Sequence, residues 1–179
     1  LHIVYIHFFL RKGSPRFGEK KIFYKPRRIP VAGTTLSFDD IEHGLLRRSR
    51  IKLSLGYLRK PFAGKFERQF RVKRLDPRIH FALNCGAQSC PAIALFDREN
   101  IDTLLDLYTR AYLEGNTRRE GDTVYVTRLF LWFRGDFGGK RGIRAFLKKY
   151  GIIAPEAAPR IRYLDYSWRL DLENFVAEP

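Results

Sequence analysis

Three stretches of the chain show the apolar spacing of an amphipathic helix. The first covers residues 37–48, where the side chains that share one face at about 100° per residue are Phe38, Ile41, Leu45 and Leu46. Ser37 and Asp40 have the spacing of a capping box, which marks the start of this helix. The second and third helices are predicted over residues 94–115 and over residues 142–151, where Gly151 ends the pattern.

Two polar residues of the first helix have different predicted surroundings. Glu42 lies within roughly 45° of the centre of the apolar face, and His43 lies about 145° away from it. A charged carboxylate on an apolar stripe is costly to bury unless it is paired. We therefore expect Glu42 to face the core with a partner and His43 to face away from it.

The other patterned stretches are strand-like or loop-like. Residues 14–35 are broken by proline and glycine and predict a loop with one edge strand at residues 21–24. Further strands are predicted over residues 79–83, 123–127 and 160–166, and a short helical turn over residues 129–139. Helices and short strands without a regular βαβ alternation predict a single α+β domain over residues 1–179, with a small, mainly antiparallel sheet packed against several helices.

Composition narrows the class of protein. The 179 residues are 45% hydrophobic and carry a formal charge of +15, which excludes a disordered tail and an acidic protein. Two cysteines exclude a disulfide-stapled miniprotein, and no apolar run is long enough for a transmembrane helix. The chain starts at Leu1 and contains no methionine, so we expect the native start upstream, which leaves the cellular compartment open.

Most of the excess charge lies in residues 47–74. Eleven Lys and Arg stand there beside a single acid, Glu67. Phe62, Phe66 and Phe70 recur every four residues, a spacing that fits stacked bases and equally fits a core-facing helical stripe. The stretch is therefore either a solvated face or a contact for a polyanion, which would make the protein a non-enzymatic binding module for nucleic acid or an anionic surface.

The segment RIHFALNCGAQSCPAI, residues 78–93, holds both cysteines. Cys85 and Cys90 are compatible with four interpretations: buried apolar side chains, a disulfide, a metal site completed by histidine, or a catalytic thiolate with Cys90 as a second thiol. The C-x4-C spacing is a weak metal signal. A thiolate needs a base, and the chain offers four histidines: His2, His7, His43 and His80.

This segment resembles the domain of unknown function 547 family (DUF547). LSFDDIEHGLLR upstream and LFLWFRGDFGG downstream come in the family's order, so that the resemblance covers roughly residues 1–153, lacks the family's N-terminal block and leaves residues 154–179 as a C-terminal strand and tail. The resemblance implies thiol chemistry, because animal relatives lie beside glutaredoxin-type domains. Plant relatives keep the first cysteine and often replace the second, which implies Cys85 as the working thiol. The Glu42–His43 pair belongs to the same family pattern.

These residues suggest a thiol-dependent hydrolase or acyltransferase, on a fold of the cysteine-protease or transglutaminase kind, acting on an unidentified small or peptide-like substrate without a cofactor. Cys85 is the expected nucleophile. His80 is roughly 16 Å from it along a straight strand, so His43 is the preferred base and His80 the alternative. Adjacent helical side chains point about 100° apart, so Asp136 is a better orienting group than Glu42, unless Asp136 is a plain turn residue.

An acyl-transfer site also needs hydrogen-bond donors for the oxyanion. The candidates beside the nucleophile are Asn84, Gln88 and the backbone N–H of Gly86.

Overall fold

A computed structural model describes residues 29–171 and 173–175 of the chain. The described residues belong to two compact units, one within residues 29–76 and the other within residues 77–175. The strand predicted at residues 21–24 and the histidines His2 and His7 lie outside the described residues. In the described part of the chain, no helix is both long and apolar enough to cross a membrane.

The first unit begins with a hairpin where the sequence predicts mostly loop. Strands β1 (Ile29–Val31) and β2 (Thr34–Leu36) pair antiparallel, with Val31 opposite Thr34. Ala32 and Gly33 form the two-residue turn, both with positive φ, as a tight hairpin turn requires. The prediction of a loop over residues 29–35 was wrong because this turn closes a ladder only three residues long, too short for an alternating pattern to be visible.

The helix that follows is a π-helix, Asp40–Leu46, and its start is the predicted capping box. The backbone N–H of Asp40 donates to Ser37 Oγ at 3.0 Å, and the backbone N–H of Ser37 donates to Asp40 Oδ2 at 3.0 Å. Two otherwise unsatisfied donors at the helix start are thus paired reciprocally.

The wider turn of this helix changes which side chains are buried. Backbone bonds span five residues, from the N–H of Arg47 to the carbonyl of Glu42 at 2.8 Å and from Ser49 to Gly44 at 2.8 Å. As a result His43 is buried and Glu42 is partly exposed. The prediction that Glu42 faces the core and His43 faces away was wrong, because it assumed an α-helical 100° step.

The first unit ends with helix α1, Lys65–Phe70. Phe66 and Phe70 pack against each other one turn apart, with ring centroids 4.5 Å from each other and the rings tilted by 32°. Their four-residue spacing is therefore helical, although both Phe62 and Phe70 are exposed.

The second unit opens with a 3₁₀-helix, Pro77–Phe81, where the sequence predicts a strand over residues 79–83. The N–H groups of Ala82 and Leu83 both donate to the carbonyl of Ile79. Consecutive His80 and Phe81 are both buried, which a strand with two opposite faces would not allow at the edge of a core. Proline suits the first position of a helix, and Asp76-Pro77 starts this one.

The second unit also holds a three-stranded mixed sheet. Strands β3 (Thr117–Glu120) and β4 (Thr123–Val126) form the predicted hairpin around Gly121-Asp122. Strand β5 (Arg160–Tyr163) is the predicted late strand and runs parallel to β4, with Val124 opposite Ile161. The α+β class is confirmed: among the five named strands of the described residues, β1–β2 and β3–β4 pair antiparallel and β4–β5 pair parallel.

Three α-helices surround this sheet: α2 (Ile101–Gly115), α3 (Leu129–Trp132) and α4 (Gly139–Lys149). Helix α2 begins later than predicted because Asp97 makes a turn ahead of it. Asp97 Oδ1 accepts the N–H groups of Glu99 and Asn100, and these hydrogen bonds lower the pKa of the Asp97 carboxyl.

The core of the second unit lies between these elements and is rich in aromatic rings. Phe81 of the 3₁₀-helix contacts the rings of Tyr112, Phe130, Phe137 and Phe146 at centroid distances of 5.5–6.0 Å. The aliphatic side chains that complete it are buried in the same cluster: Leu113, Val124, Val126, Leu129, Ile143, Leu147, Ile152 and Ile153. This packed layer holds the 3₁₀-helix and the turn before α4 in place, and both carry candidate site residues.

We predict that Gly142→Ala destabilises the protein by about 2–3 kcal/mol, since overpacking without room to relax costs about that much. A Cβ on Gly142 would lie 1.7 Å from the carbonyl oxygen of Phe137, so the backbone would have to move. The measurement is the free energy of unfolding from urea titration followed by circular dichroism.

Gly115→Ala is the matched control. Gly115 is also helical, and a Cβ there would meet nothing within 4 Å. This change should leave the free energy of unfolding unchanged or raise it by up to about 1 kcal/mol. Equal stability losses in the two variants would contradict the packing argument.

Candidate functional site

The loop that carries both cysteines is closed by one buried side chain, Asn84. Its Oδ1 accepts the backbone N–H of Gly86 at 2.5 Å, and its Nδ2 donates to the carbonyl of Pro91 at 2.6 Å. Gly86 has φ +78°, a conformation that favours glycine and sets the direction of the chain after Cys85. The side-chain amide of Asn84 therefore stabilises the conformation of residues 84–91, because it forms hydrogen bonds near both ends of the loop.

The C-terminal segment supports the same loop from outside. The N–H of Gln88 donates to the carbonyl of Arg169 at 2.8 Å, and the N–H of Asp171 donates to the carbonyl of Gly86 at 2.9 Å. An antiparallel bridge pairs Ala87 with Leu170. This pairing places Tyr166, which precedes the bridged residues, beside the two sulfurs.

The two sulfurs are thiols in hydrogen-bond contact. Cys85 is partly exposed and Cys90 is buried. The backbone N–H of Cys85 donates to Cys90 Sγ at 3.1 Å, and the Tyr166 hydroxyl lies 3.1 Å from Cys90 Sγ and 3.8 Å from Cys85 Sγ. A Cys85–Cys90 disulfide, one of the four interpretations, is not formed in this structure.

Burial separates the protonation behaviour of the groups in this cluster. Loss of solvent, followed by the hydrogen bond and the charge of Cys85, raises the pKa of the Cys90 thiol well above its ordinary value. Burial, followed by the charges of Cys90 and Cys85, raises the pKa of the Tyr166 hydroxyl far above its ordinary value. Tyr166 and Cys90 therefore keep their protons at neutral pH and can donate hydrogen bonds to a neighbouring thiolate.

A buried histidine–aspartate pair lies in the same unit. His80 Nε2 is 2.9 Å from Asp136 Oδ2, and the side chains are 1% and 0% exposed. The 3₁₀-helix carries His80, and the turn between α3 and α4 carries Asp136, whose N–H donates to the carbonyl of Phe133 at 2.8 Å. The Phe133 ring stacks on the imidazole at a centroid distance of 3.9 Å and an interplanar angle of 10°. The carboxylate and the stacked ring together fix the orientation of the imidazole.

Two adjacent aromatic residues pack on this pair and on Tyr166, respectively. While Phe133 packs on His80, Trp132 packs edge-on against Tyr166 with ring centroids 4.8 Å apart. Trp168, which is partly exposed, stacks on Trp132 at 5.5 Å. Aromatic rings thus pack on the imidazole and on the tyrosine that contacts the thiols, and the residues that carry them, Trp132 and Phe133, are neighbours in the chain.

The first unit contains the other histidine that the sequence nominates. His43 Nδ1 is 2.9 Å from an Arg47 guanidinium nitrogen and 3.4 Å from Glu42 Oε1, while its Nε2 is 3.7 Å from Asp39 Oδ1. A guanidinium can only donate, so Nδ1 accepts from Arg47 and the imidazole proton lies on Nε2, towards Asp39. The lone pair of His43 is thereby engaged by a fully buried arginine.

The three predicted oxyanion donors differ in whether their N–H groups already form hydrogen bonds. Asn84 and the N–H of Gly86 are bonded to each other within the loop. Gln88 is exposed, and its Oε1 accepts from the Ser167 hydroxyl at 2.9 Å. Of the three candidates, Gln88 is the one whose side-chain donor is not used by the described residues.

Sequence reasoning missed Tyr166 as a site residue. Nothing local in the sequence indicates that Tyr166 contacts residues about eighty positions earlier.

The arrangement of side chains does not support the interpretation of the two cysteines as part of a metal site. Within residues 29–171 and 173–175, no three His, Cys, Asp or Glu side chains are arranged to hold a metal ion.

Comparison with known proteins gives one match. The model of a family described as "Protein of unknown function, DUF547" matches residues 1–113, which include the capping-box helix and the cysteine loop. The block at residues 129–139 lies beyond the matched part. No curated protein and no solved structure shows significant similarity to the chain.

We predict that iodoacetamide at pH 8 alkylates Cys85 at least about tenfold faster than Cys90. Cys90 is buried and its raised pKa keeps it a thiol at this pH, whereas Cys85 is partly exposed. Peptide mass spectrometry after timed quenching measures the two rates in the same sample. In guanidinium chloride both sites should react alike, and equal rates in the folded protein would contradict the described burial.

Proposed function

We propose that this chain, which belongs to the DUF547 family, is a thiol-dependent hydrolase or acyltransferase whose nucleophile is Cys85. The observation that carries the proposal is a partly exposed thiol in the same compact unit as a buried His80–Asp136 pair. A thiol of pKa ~8.5 needs a base to attack rapidly at neutral pH, and a carboxylate-oriented imidazole is the group that nucleophilic enzymes use for this purpose.

The placement of the two histidines favours His80 over His43 as the base, because His80 lies in the same compact unit as Cys85. Asp136 bonds Nε2 of His80, so this nitrogen carries the proton and Nδ1 carries the lone pair. In His43 the lone pair accepts a hydrogen bond from Arg47. The proposal requires that His80 Nδ1 reaches the Cys85 thiol directly or through one water when substrate is bound.

The reaction then follows the steps of acyl transfer. His80 accepts the thiol proton as Cys85 Sγ bonds to the carbonyl carbon of the substrate, and the tetrahedral intermediate forms. His80 returns that proton to the leaving amine, alcohol or thiol as the carbon–leaving group bond breaks, which leaves an acyl-Cys85 thioester. Water or an acceptor nucleophile then attacks this thioester with His80 again taking a proton, and Cys85 leaves as the thiol.

The remaining side chains of the cluster have supporting roles in this scheme. Cys90 and Tyr166 keep their protons and donate hydrogen bonds to the Cys85 thiolate. Gln88 offers its side-chain amide donor to the oxyanion. Trp132 and Trp168 form an aromatic wall that suits an apolar acyl group or an apolar side chain of a small or peptide-like substrate.

We predict that His80→Gln and Asp136→Asn each slow iodoacetamide labelling of Cys85 at pH 7 by about tenfold, because the thiol loses its base. At pH 10, where hydroxide ionises an ordinary thiol of pKa ~8.5, the variants and the parent should react at similar rates. His43→Gln should leave the rate at pH 7 unchanged.

Labelling of Cys90 in the same samples is the internal control for folding. A variant that has lost its structure exposes Cys90, and its Cys85 rate is then not counted. A rate that falls in His43→Gln but not in His80→Gln would overturn the choice of base.

The acyl-transfer reaction itself is tested by incubation with p-nitrophenyl acetate, which should acetylate Cys85 and fail to acetylate Cys85→Ser. Absence of an acetyl adduct together with labelling rates that no histidine variant alters would overturn the proposed function.

A further inference from the structure

We propose that residues 50–62, here called the apolar loop, dock the protein onto membranes that contain anionic phospholipids. The proposal is independent of the chemistry at Cys85. It stands on the exposure of apolar side chains in this loop and on the charge that surrounds them.

The apolar loop exposes large hydrophobic side chains to an unusual degree. Phe62 is 94% exposed, Leu53 is 90% exposed and Leu58 is 61% exposed, and Tyr57 is also exposed. A single exposed apolar residue is common on a soluble protein, but a group of them within ten positions marks a surface that contacts something apolar.

The loop is ordered by its own hydrogen bonds, so its exposed side chains are held outward. Arg50 and Arg59 form an antiparallel bridge, and the N–H of Ile51 donates to the carbonyl of Leu58 at 2.9 Å. Ser54 Oγ donates to the carbonyl of Ile51 at 2.8 Å and accepts the N–H of Leu58 at 3.1 Å. These bonds satisfy the backbone of the turn, so little ordering is needed when the loop meets a partner.

The backbone at the tip is also strained. Leu55 has φ +52°, in the left-handed region that branched apolar residues rarely adopt. Gly56 follows with φ +83°, which glycine adopts at little cost. Strain of this kind persists where the surrounding structure imposes it, and it is found preferentially at functional surfaces.

The charge around the loop is strongly positive and largely unneutralised. Residues 50–62 contain no acid, although Lys52 pairs with Asp39 and Lys60 pairs with Glu67. Further basic side chains of residues 59–74 are exposed and form no ion pair with the described residues: Arg59, Lys65, Arg68, Lys73 and Arg74. Exposed apolar side chains flanked in the sequence by basic side chains are suited to a bilayer, which presents anionic headgroups above an apolar interior.

The chemistry of the exposed side chains favours lipid over other occupants. Leu53 and Leu58 are aliphatic and cannot stack on bases, whereas single-stranded nucleic acid binds through rows of aromatic rings. A second copy of the chain would bring two strongly basic surfaces together, which like-charge repulsion opposes.

The test is co-sedimentation of the full chain with large vesicles of phosphatidylcholine alone or of phosphatidylcholine with about one third phosphatidylserine. The parent should bind only the anionic vesicles, and less at higher salt. Leu53→Ser with Phe62→Ser should weaken that binding by at least about tenfold, because both side chains lose their apolar contact. Leu95→Ser, which alters an equally apolar side chain that is 67% exposed outside the loop, should leave binding unchanged.

The contribution of charge is tested separately. Arg59→Gln with Lys65→Gln should weaken binding to anionic vesicles several-fold more than Arg119→Gln with Arg141→Gln, which removes the same charge from exposed positions elsewhere. Equal effects of the two double variants would overturn the proposal that the apolar loop is a specific membrane-binding surface. Binding of a single-stranded oligonucleotide that survives Leu53→Ser with Phe62→Ser, without binding to anionic vesicles, would assign the surface to nucleic acid instead.

Discussion

The second unit depends on the burial of two polar side chains against each other. His80 and Asp136 are 56 positions apart and meet at 2.9 Å with almost no exposure to solvent. Breaking a buried pair of this kind by removing one member typically costs about 3–5 kcal/mol, because the other is left uncompensated. The pair therefore constrains both the 3₁₀-helix and the turn before α4, and the ring of Phe133 packs on the imidazole.

Local signals in the sequence were sufficient for several elements of the fold. Ser37 and Asp40 form the predicted capping box, Gly121-Asp122 turns the predicted hairpin, and residues 160–163 form the predicted strand. Each of these features depends on residues within a few positions of one another. The predictions failed where tertiary packing set the helical step: the residues around His43 form a π-helix, and those around His80 form a 3₁₀-helix.

The sequence names candidate site residues one by one, but it does not predict which of them contact each other. The sequence nominates the thiols and both members of the His80–Asp136 pair, yet it assigns Asp136 to orient His43. That assignment assumed a straight strand over residues 79–83, whereas residues 77–81 form a 3₁₀-helix and Asp136 contacts His80. Contacts such as those of Tyr166 with the thiols join residues 76 to 81 positions apart, and no periodicity in a single sequence reports them.

The protein also has a buried polar pair where stability alone would be served by apolar side chains. Replacing a buried ion pair with apolar groups of similar volume often leaves the stability unchanged or raises it. Tight packing therefore does not explain why the Asp136 carboxylate contacts the His80 imidazole. The surrounding layer of Phe81, Phe133 and Phe137 already supplies apolar contact on the same elements. What the carboxylate adds is a fixed ring orientation and a defined tautomer, and these are properties that proton transfer requires and that packing does not. The loop 84–91 shows a related asymmetry, because one thiol is buried and kept protonated while its neighbour is partly exposed. A chain that only filled its core would have no need to distinguish the two sulfurs, whereas a nucleophile supported by a permanent hydrogen-bond donor requires that distinction.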